Sequence, residues 1–186
     1  GQVATIDVGG EPAGIATGAG FAWVADATEG TVDQIDASAN RIVGSLEVGN
    51  GPRGVAVAFG AVWVLSVVDG EVVRIDLARG EVTDRTPVGS RPTAIAAGAG
   101  SLWVTDEVAG TVVRVEPGSA RVSEAIGVGN GPSSVAFGEG AVWVANRVDP
   151  AMERADDNVA ELAARLPAPC LADVAWQAYP AFGTDA

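Results

Sequence analysis

Two rows of polar side chains recur through this sequence and are the residues whose types and spacing could do chemistry. The first row repeats every 40 residues, at the end of an apolar run, and consists of Asp26, Ser66, Asp106 and Asn146. The second row lies in and beside a repeated Gly- and Pro-containing loop and consists of Glu11, Arg53, Arg91, Ser133 and Ser134. Oxygen ligands in a ring could bind a hard cation such as calcium. Arginines could clamp a carboxylate or a phosphate.

Each row also has a structural explanation. Asp, Ser and Asn side chains commonly accept hydrogen bonds from an adjacent turn, and we favour that role for the first row. Arg53 and Arg91 are explained about equally well as solvated side chains or as ion-pair partners of a neighbouring acid. The second row is the better candidate for ligand recognition, because its residues vary between repeats at positions that the scaffold does not dictate.

Missing residue types exclude more chemistry than the present ones support. The chain has no histidine, and all 11 of its basic residues are arginine. Without histidine there is no Ser-His-Asp or Cys-His arrangement and no imidazole metal site. Without lysine there is no P-loop, so the segment 49–52 is interpreted as a turn. Cys170 has no partner base and is interpreted as an inert thiol. We therefore predict no catalytic residue, no metal site and no cofactor.

Composition narrows the partners. The 24 acidic residues outnumber the basic ones and give a net charge of -13, which repels phosphate backbones, so we expect no nucleic-acid partner. No apolar run approaches the ~20 residues that a membrane span needs. The 25 glycines and the 48% of hydrophobic residues fit a β-rich globular domain.

A fixed 40-residue period organises the chain. Tryptophan recurs at Trp23, Trp63, Trp103 and Trp143, and proline keeps the same step at Pro12, Pro52, Pro92 and Pro132. A constant period without insertions indicates a repeat architecture, in which each unit buries its faces against its neighbours.

Each unit reads as four short strands. In the second unit, Gly and Asp turns separate the β-rich runs 54–57, 61–65, 71–76 and 81–88. The second run is apolar at consecutive positions, which indicates a strand buried on both faces. Sheets that are buried on both faces and repeat radially are the blades of a β-propeller. We therefore predict an all-β propeller of 40-residue, four-stranded blades, with each repeated tryptophan between adjacent blades.

The repeat motif resembles a known family. The segments Val88–Pro92, Gly98–Val104 and Gly110–Glu116 are similar to the blades of bacterial YncE-like (YVTN) propellers and of the related streptogramin lyase-like repeats. The resemblance covers residues 3–146 and implies blade type rather than activity. Streptogramin lyases are understood to use histidine and glutamate with magnesium, and this chain has no histidine. The resemblance also implies a periplasmic or secreted bacterial protein, with the cytoplasm as the alternative.

The sequence predicts an incomplete propeller of about three and a half blades. Residues 2–8 look like the outermost strand of an earlier blade, three full blades reach Val128, and two strands of a fourth end at Asn146. Three explanations compete: a fragment of a longer propeller, which we favour; a small four-bladed ring that residues 2–8 complete; or a homodimer in which two arcs pair through their open blade edges.

The repeat region, residues 1–146, is followed by a non-repeat tail, residues 147–186. Asp149 as N-cap and an apolar stripe predict an amphipathic helix over residues 150–166. We interpret this helix as a cap over the open edge of the fourth blade, with a docking helix for a partner as the alternative. The sequence thus predicts a non-catalytic module that binds a small molecule or a protein at the channel face. The alternative is a part of a lyase-like or lactonase-like enzyme whose catalytic residues lie in missing blades.

Overall fold

A computed structural model describes residues 5–147, which contain fourteen strands in four antiparallel sheets. The first sheet comprises β1 (Pro12–Gly18), β2 (Phe21–Asp26), β3 (Thr31–Asp36) and β4 (Arg41–Glu47). The second comprises β5 (Pro52–Ala58), β6 (Ala61–Ser66), β7 (Glu71–Asp76) and β8 (Glu81–Pro87). The third comprises β9 (Pro92–Gly98), β10 (Ser101–Asp106), β11 (Thr111–Glu116) and β12 (Arg121–Gly127), and the fourth β13 (Pro132–Gly138) and β14 (Ala141–Asn146). The predicted helix at 150–166 lies outside the described residues.

Every complete sheet is the predicted meander, in which each strand pairs with the next strand along the chain. The tight turns between the second and third strands end in glycines with positive φ, such as Gly30 at 73° and Gly70 at 71°, a conformation that costs glycine little. The second strands carry the continuous apolar runs, and every residue of β6 and β10 is buried. The second and third sheets are therefore covered on both faces, as the run pattern predicts.

The repeated tryptophans fill the gaps between sheets. Trp23 packs with Val62 and Val64 of the second sheet. Trp63 packs likewise with Leu102 and Val104 of the third sheet, and Trp103 with Val142 and Val144 of the fourth. The indole N–H groups of Trp63 and Trp103 donate to the carbonyl oxygens of Ala58 and Gly98, at 3.2 and 3.0 Å. The predicted place of the tryptophan between blades is confirmed for these three gaps.

The four sheets are arranged radially about a common axis. The first strands of successive sheets pack closely on each other, whereas the fourth strands diverge. This arrangement puts β1, β5, β9 and β13 nearest the axis, as in a β-propeller, so each sheet is a blade. The predicted all-β propeller class is confirmed, and the described residues form an incomplete ring.

The two ends of the blade series stay open in the described residues. Pro12 is exposed, whereas its counterparts Pro52 and Pro92 are buried. Residues 5–9 form no strand, and Ile6 and Val8 instead line the outer face of the first blade. This differs from the expected outer strand over residues 2–8, of which residues 2–4 lie outside the described part of the chain. The described blades therefore make an arc rather than a closed four-bladed ring.

Candidate binding face at the interblade loops

The two polar rows lie on one face of the arc. Each first strand starts opposite the end of its second strand, as Pro12 pairs with Asp26 and Pro52 with Ser66. The interblade loops and the turns between the second and third strands therefore share this side. We call it the loop face, and it comprises loops 8–11, 48–51, 88–91 and 128–131 with turns 27–30, 67–70 and 107–110.

Backbone hydrogen bonds hold the loops of this face in the same way at each repeat. The N–H of Val48 donates to the carbonyl of Gly30, and that of Val88 to Gly70, both at 2.9 Å. A second repeated bond joins the turn to the loop, as Glu107 N–H donates to the Arg91 carbonyl at 3.0 Å. Because these bonds use no side chain, the residues of the loop can vary without altering its path.

Asp106 of the third blade is buried, at 1% exposure, and its carboxylate links two neighbouring loops. Its Oδ1 accepts hydrogen bonds from the N–H groups of Val108 and Ala109, both at 2.9 Å. Its Oδ2 accepts from Ser90 at 2.7 Å and Arg91 at 3.3 Å. Burial opposes ionisation of this carboxyl, but the four backbone donors outweigh burial and lower its pKa. One carboxylate thus ties the interblade loop to the neighbouring turn.

Asp26 caps the corresponding turn of the first blade through one of its two carboxylate oxygens. Its Oδ1 accepts from the N–H groups of Thr28 at 2.9 Å and Glu29 at 2.8 Å. The bond from Glu29 is the largest cause of the lowered pKa of Asp26, which burial partly offsets. The turn-capping role that we favoured for the first row is confirmed for Asp26 and Asp106.

The second blade makes the same connection with a different acid. Ser66 Oγ lies 3.0 Å from both the Asn50 carbonyl oxygen and Asp69 Oδ2. Asp69 accepts from the backbone N–H and the side-chain Nδ2 of Asn50, at 2.7 and 2.8 Å. Sequence reasoning missed Asp69, and the signal was an acid three residues after the position where Ser replaces Asp. In the fourth blade, Asn146 donates through Nδ2 to the Val128 carbonyl.

A cation site at the first row has no support in the described residues, where no group of three or more His, Cys, Asp or Glu side chains could hold a metal ion. Both carboxylate oxygens of Asp106 and the Oδ1 of Asp26 already accept backbone hydrogen bonds. The ligand role of this row stays a prediction.

The second row contains a β-bulge that the sequence did not predict. In the second blade, Pro52 pairs with Ser66 and Gly54 with Leu65, so Arg53 is the extra residue. The bulge recurs at Ala13, Thr93 and Ser133. A bulge unpairs one residue and re-aims its side chain. It thus places one side chain per blade beside the axis at the loop face.

The side chains at the bulge positions differ in their hydrogen-bond partners. Thr93 Oγ1 donates to the Pro132 carbonyl of the next blade at 2.8 Å, and Ser133 Oγ to the Ala145 carbonyl at 3.1 Å. Arg53 is exposed, and its side chain makes no hydrogen bond or ion pair with any other described residue. Arg53 is therefore a cation left available to solvent at the loop face.

Arg91 has partners instead. Its Nε lies 3.2 Å from Glu107 Oε2, and Arg147 Nη1 of the fourth blade lies 3.0 Å from Glu107 Oε1. This confirms the ion-pair alternative for Arg91, although its side chain remains 62% exposed. Sequence reasoning missed Glu107 and Arg147, whose repeat-related spacing of 40 residues was the available signal.

The remaining predicted site residues lie on the same face without meeting. Glu11 is exposed, and its backbone carbonyl accepts the Ala27 N–H at 2.9 Å. Ser134 is exposed beside Ser133. Within residues 5–147, the five predicted side chains of the second row form no hydrogen bond or ion pair with one another. They make a surface rather than an assembled catalytic centre.

Comparisons with solved structures identify the fold. The chain is similar to Kuenenia stuttgartiensis hydrazine synthase (TM-score 0.71, 14% identity, covering 80% of this chain and 45% of that one). It is similar to a streptogramin B lyase (TM-score 0.59, 21% identity, 68% and 44%). It also resembles a computationally designed protein, Ika4 (TM-score 0.67, 14% identity, 79% and 93%).

These similarities show the fold and no finer kinship. Hydrazine synthase and streptogramin B lyase are propeller folds, and this chain is one of the same architecture. The chain spans less than half the length of both. No protein-family profile matches the sequence, and no curated protein matches it significantly. Within residues 5–147, the structure contains no helix long and apolar enough to cross a bilayer.

Proposed function

We propose that this chain is a non-catalytic binding module of a YncE-like propeller and that it binds its ligand at the loop face. The observation that carries the proposal is Arg53, which a β-bulge holds beside the axis and which has no side-chain partner among residues 5–147. Every residue of the first polar row makes at least one scaffold hydrogen bond, so we assign recognition to the variable residues of the second row. The side chains present fit binding and supply no general base of the histidine type.

The ligand carries a carboxylate or phosphate group. A guanidinium offers several N–H donors in a planar fork that matches both groups. Two other arginines, Arg74 and Arg114, lie over the rings of Trp63 and Trp103, at 5.8 and 5.9 Å. The net charge of -13 opposes anions in general, so binding depends on local contacts at Arg53 and weakens as salt increases.

Calorimetric titration of the full chain with citrate, and separately with inorganic phosphate, tests this proposal. We expect binding of at least one anion, weakened about tenfold or more by Arg53→Gln and less by Arg53→Lys. Arg121→Gln is the matched control, since Arg121 is an exposed arginine at the opposite end of the strands. Equal binding by the Arg53 and Arg121 variants, or no binding of either anion, would overturn the proposal.

A part of an enzyme is the second candidate. Three similar structures carry enzyme titles, namely the hydrazine synthase, the streptogramin B lyase and a Myxococcus xanthus glutaminyl cyclase (TM-score 0.57, 15% identity, covering 74% of this chain and 62% of that one). An enzyme of this kind would draw catalytic residues from further blades. A magnesium-dependent rise in melting temperature of the full chain would favour it, because a metal that binds only the native state stabilises that state.

A further inference from the structure

The outer face of the first blade has a hollow that no described residue fills. Its volume is about 440 Å³, and it is lined by Ile6, Val8, Pro12, Ile15, Val24 and Ile35. We call this hollow the socket. Ile15 in its lining is 68% exposed, although it belongs to a strand beside the axis. An apolar hollow on a blade face marks a surface that another element covers.

The 40-residue repeat indicates which side chain would occupy the socket. One period later, the positions of Ile6, Val8, Ile15, Val24 and Ile35 are those of Leu46, Val48, Val55, Val64 and Ile75. These five side chains belong to the same apolar cluster as Trp23, in the gap between the first and second blades. The socket is therefore the place that the tryptophan of a preceding blade would occupy.

The other end of the arc presents a matching tryptophan. Trp143 is only partly buried, whereas Trp63 and Trp103 are at 0 and 1% exposure. Its indole N–H donates to the Gly138 carbonyl at 3.0 Å, as Trp103 does to Gly98. Trp143 is thus held by the same contact as the tryptophans that fill interior gaps.

We propose that a second copy of this chain covers the socket, with its Trp143 inserted between the first blade of one copy and the fourth blade of the other. The two contacting faces are different, so the contact is head-to-tail. Because each copy carries both faces, two copies can satisfy both ends at once and close one ring. The interior gaps supply the template, since three such gaps already pack one tryptophan against apolar side chains one period apart.

One residue of the first blade, outside the lining of the socket, departs from the template of the interior gaps. Asp33 stands where Val73 and Val113 line the interior gaps, and it is buried at 6% exposure. A buried carboxylate offers an inserted indole a less favourable contact than the valine of an interior gap does. Asp33 therefore weakens the contact relative to an interior gap and makes the association reversible.

Sedimentation velocity of the full chain over a range of concentrations tests the proposal. We expect a monomer–dimer equilibrium in which Trp143→Ala and Ile15→Asp each raise the dimer dissociation constant about tenfold or more. Val108→Asp is the control. Val108 is 69% exposed, about as exposed as Ile15, but it lies on a turn of the loop face. Circular dichroism checks that each variant keeps its strand content. Ile15→Asp keeps the test valid if Trp143→Ala unfolds the fourth blade.

Two further measurements separate this contact from other kinds of association. A mixture of Trp143→Ala and Ile15→Asp chains should form dimers that neither variant forms alone, because one intact socket then meets one intact Trp143. Asp33→Val should lower the dissociation constant. A strictly monomeric chain, a dimer insensitive to Ile15→Asp, or a mixture without recovery would overturn the proposal. Anion binding at Arg53 is a separate readout, so either proposal can fail alone.

Discussion

At the scale of single residues, the aspartates of the loop face serve as acceptors for backbone N–H groups. Asp106 is the most heavily used of them, with two backbone donors on each carboxylate oxygen. We expect Asp106→Ala to lower the free energy of unfolding by about 2–4 kcal/mol, because several donors lose their partner in a buried place. Urea unfolding followed by tryptophan fluorescence measures the change.

The control for this substitution is Asp36→Ala. Asp36 caps a turn of the opposite face by accepting from the N–H groups of Ser38 and Ala39, and it is far more accessible than Asp106. Its loss should cost only about 1 kcal/mol. An equal cost for the two variants would contradict the role of Asp106 as a tie between loop and turn.

The lowered pKa of Asp106 gives this residue a pH signature. Since its folded-state pKa lies below the unfolded value of about 3.9, ionisation favours the native state above that value. The advantage is lost as the pH falls through the folded-state pKa. The difference in unfolding free energy between the natural chain and Asp106→Asn should therefore be constant above about pH 5 and shrink below about pH 4. A difference that grows on acidification would contradict this sign.

At the scale of elements, close contact between first strands sets the tightness of the arc. A Cβ at Gly14 would lie 1.7 Å from the Arg53 carbonyl oxygen of the next blade, and Gly14 has no positive φ. We expect Gly14→Ala to lower the free energy of unfolding by about 1–3 kcal/mol, because β1 and β5 must separate.

Gly127→Ala is the matched control for Gly14→Ala. Gly127 also lies in a strand without positive φ, but a Cβ there would meet nothing within 4 Å. This substitution should be neutral or stabilising by about 0.4–1 kcal/mol, because alanine restricts the unfolded chain. Chemical denaturation of both variants checks the pair, and a tolerated Gly14→Ala would refute close packing of the first strands.

The strands themselves were largely predictable from the sequence, and the candidate site was not. Turn glycines and continuous apolar runs placed β6 and β7 to within a residue, since these patterns report local conformation and burial. The bulge at Arg53 leaves no such mark, because it changes pairing rather than periodicity. Two further features depend on contacts between loops, which spacing alone does not specify. Asp69 supplies the carboxylate that is missing at Ser66. Glu107 forms ion pairs with both Arg91 and Arg147.

At the scale of the whole molecule, the repeat divides its residues between two tasks. Residues kept in every blade build the gaps and loops, as Trp63 and Val88 do, and residues that differ between blades, such as Arg53, face solvent at the loop face. The same division explains the open ends. Trp143 and the socket are scaffold surfaces that lack a neighbouring blade in the described arc.

Under the proposed function, the loop face binds an anionic group at Arg53. An amide-resolved NMR titration of the isotope-labelled full chain with citrate tests this most directly. We expect the largest shift changes at residues 50–54 and in adjoining loops of the loop face, and their loss in Arg53→Gln. Changes concentrated at the opposite turns, such as 19–20 and 59–60, or no change at all, would contradict the account.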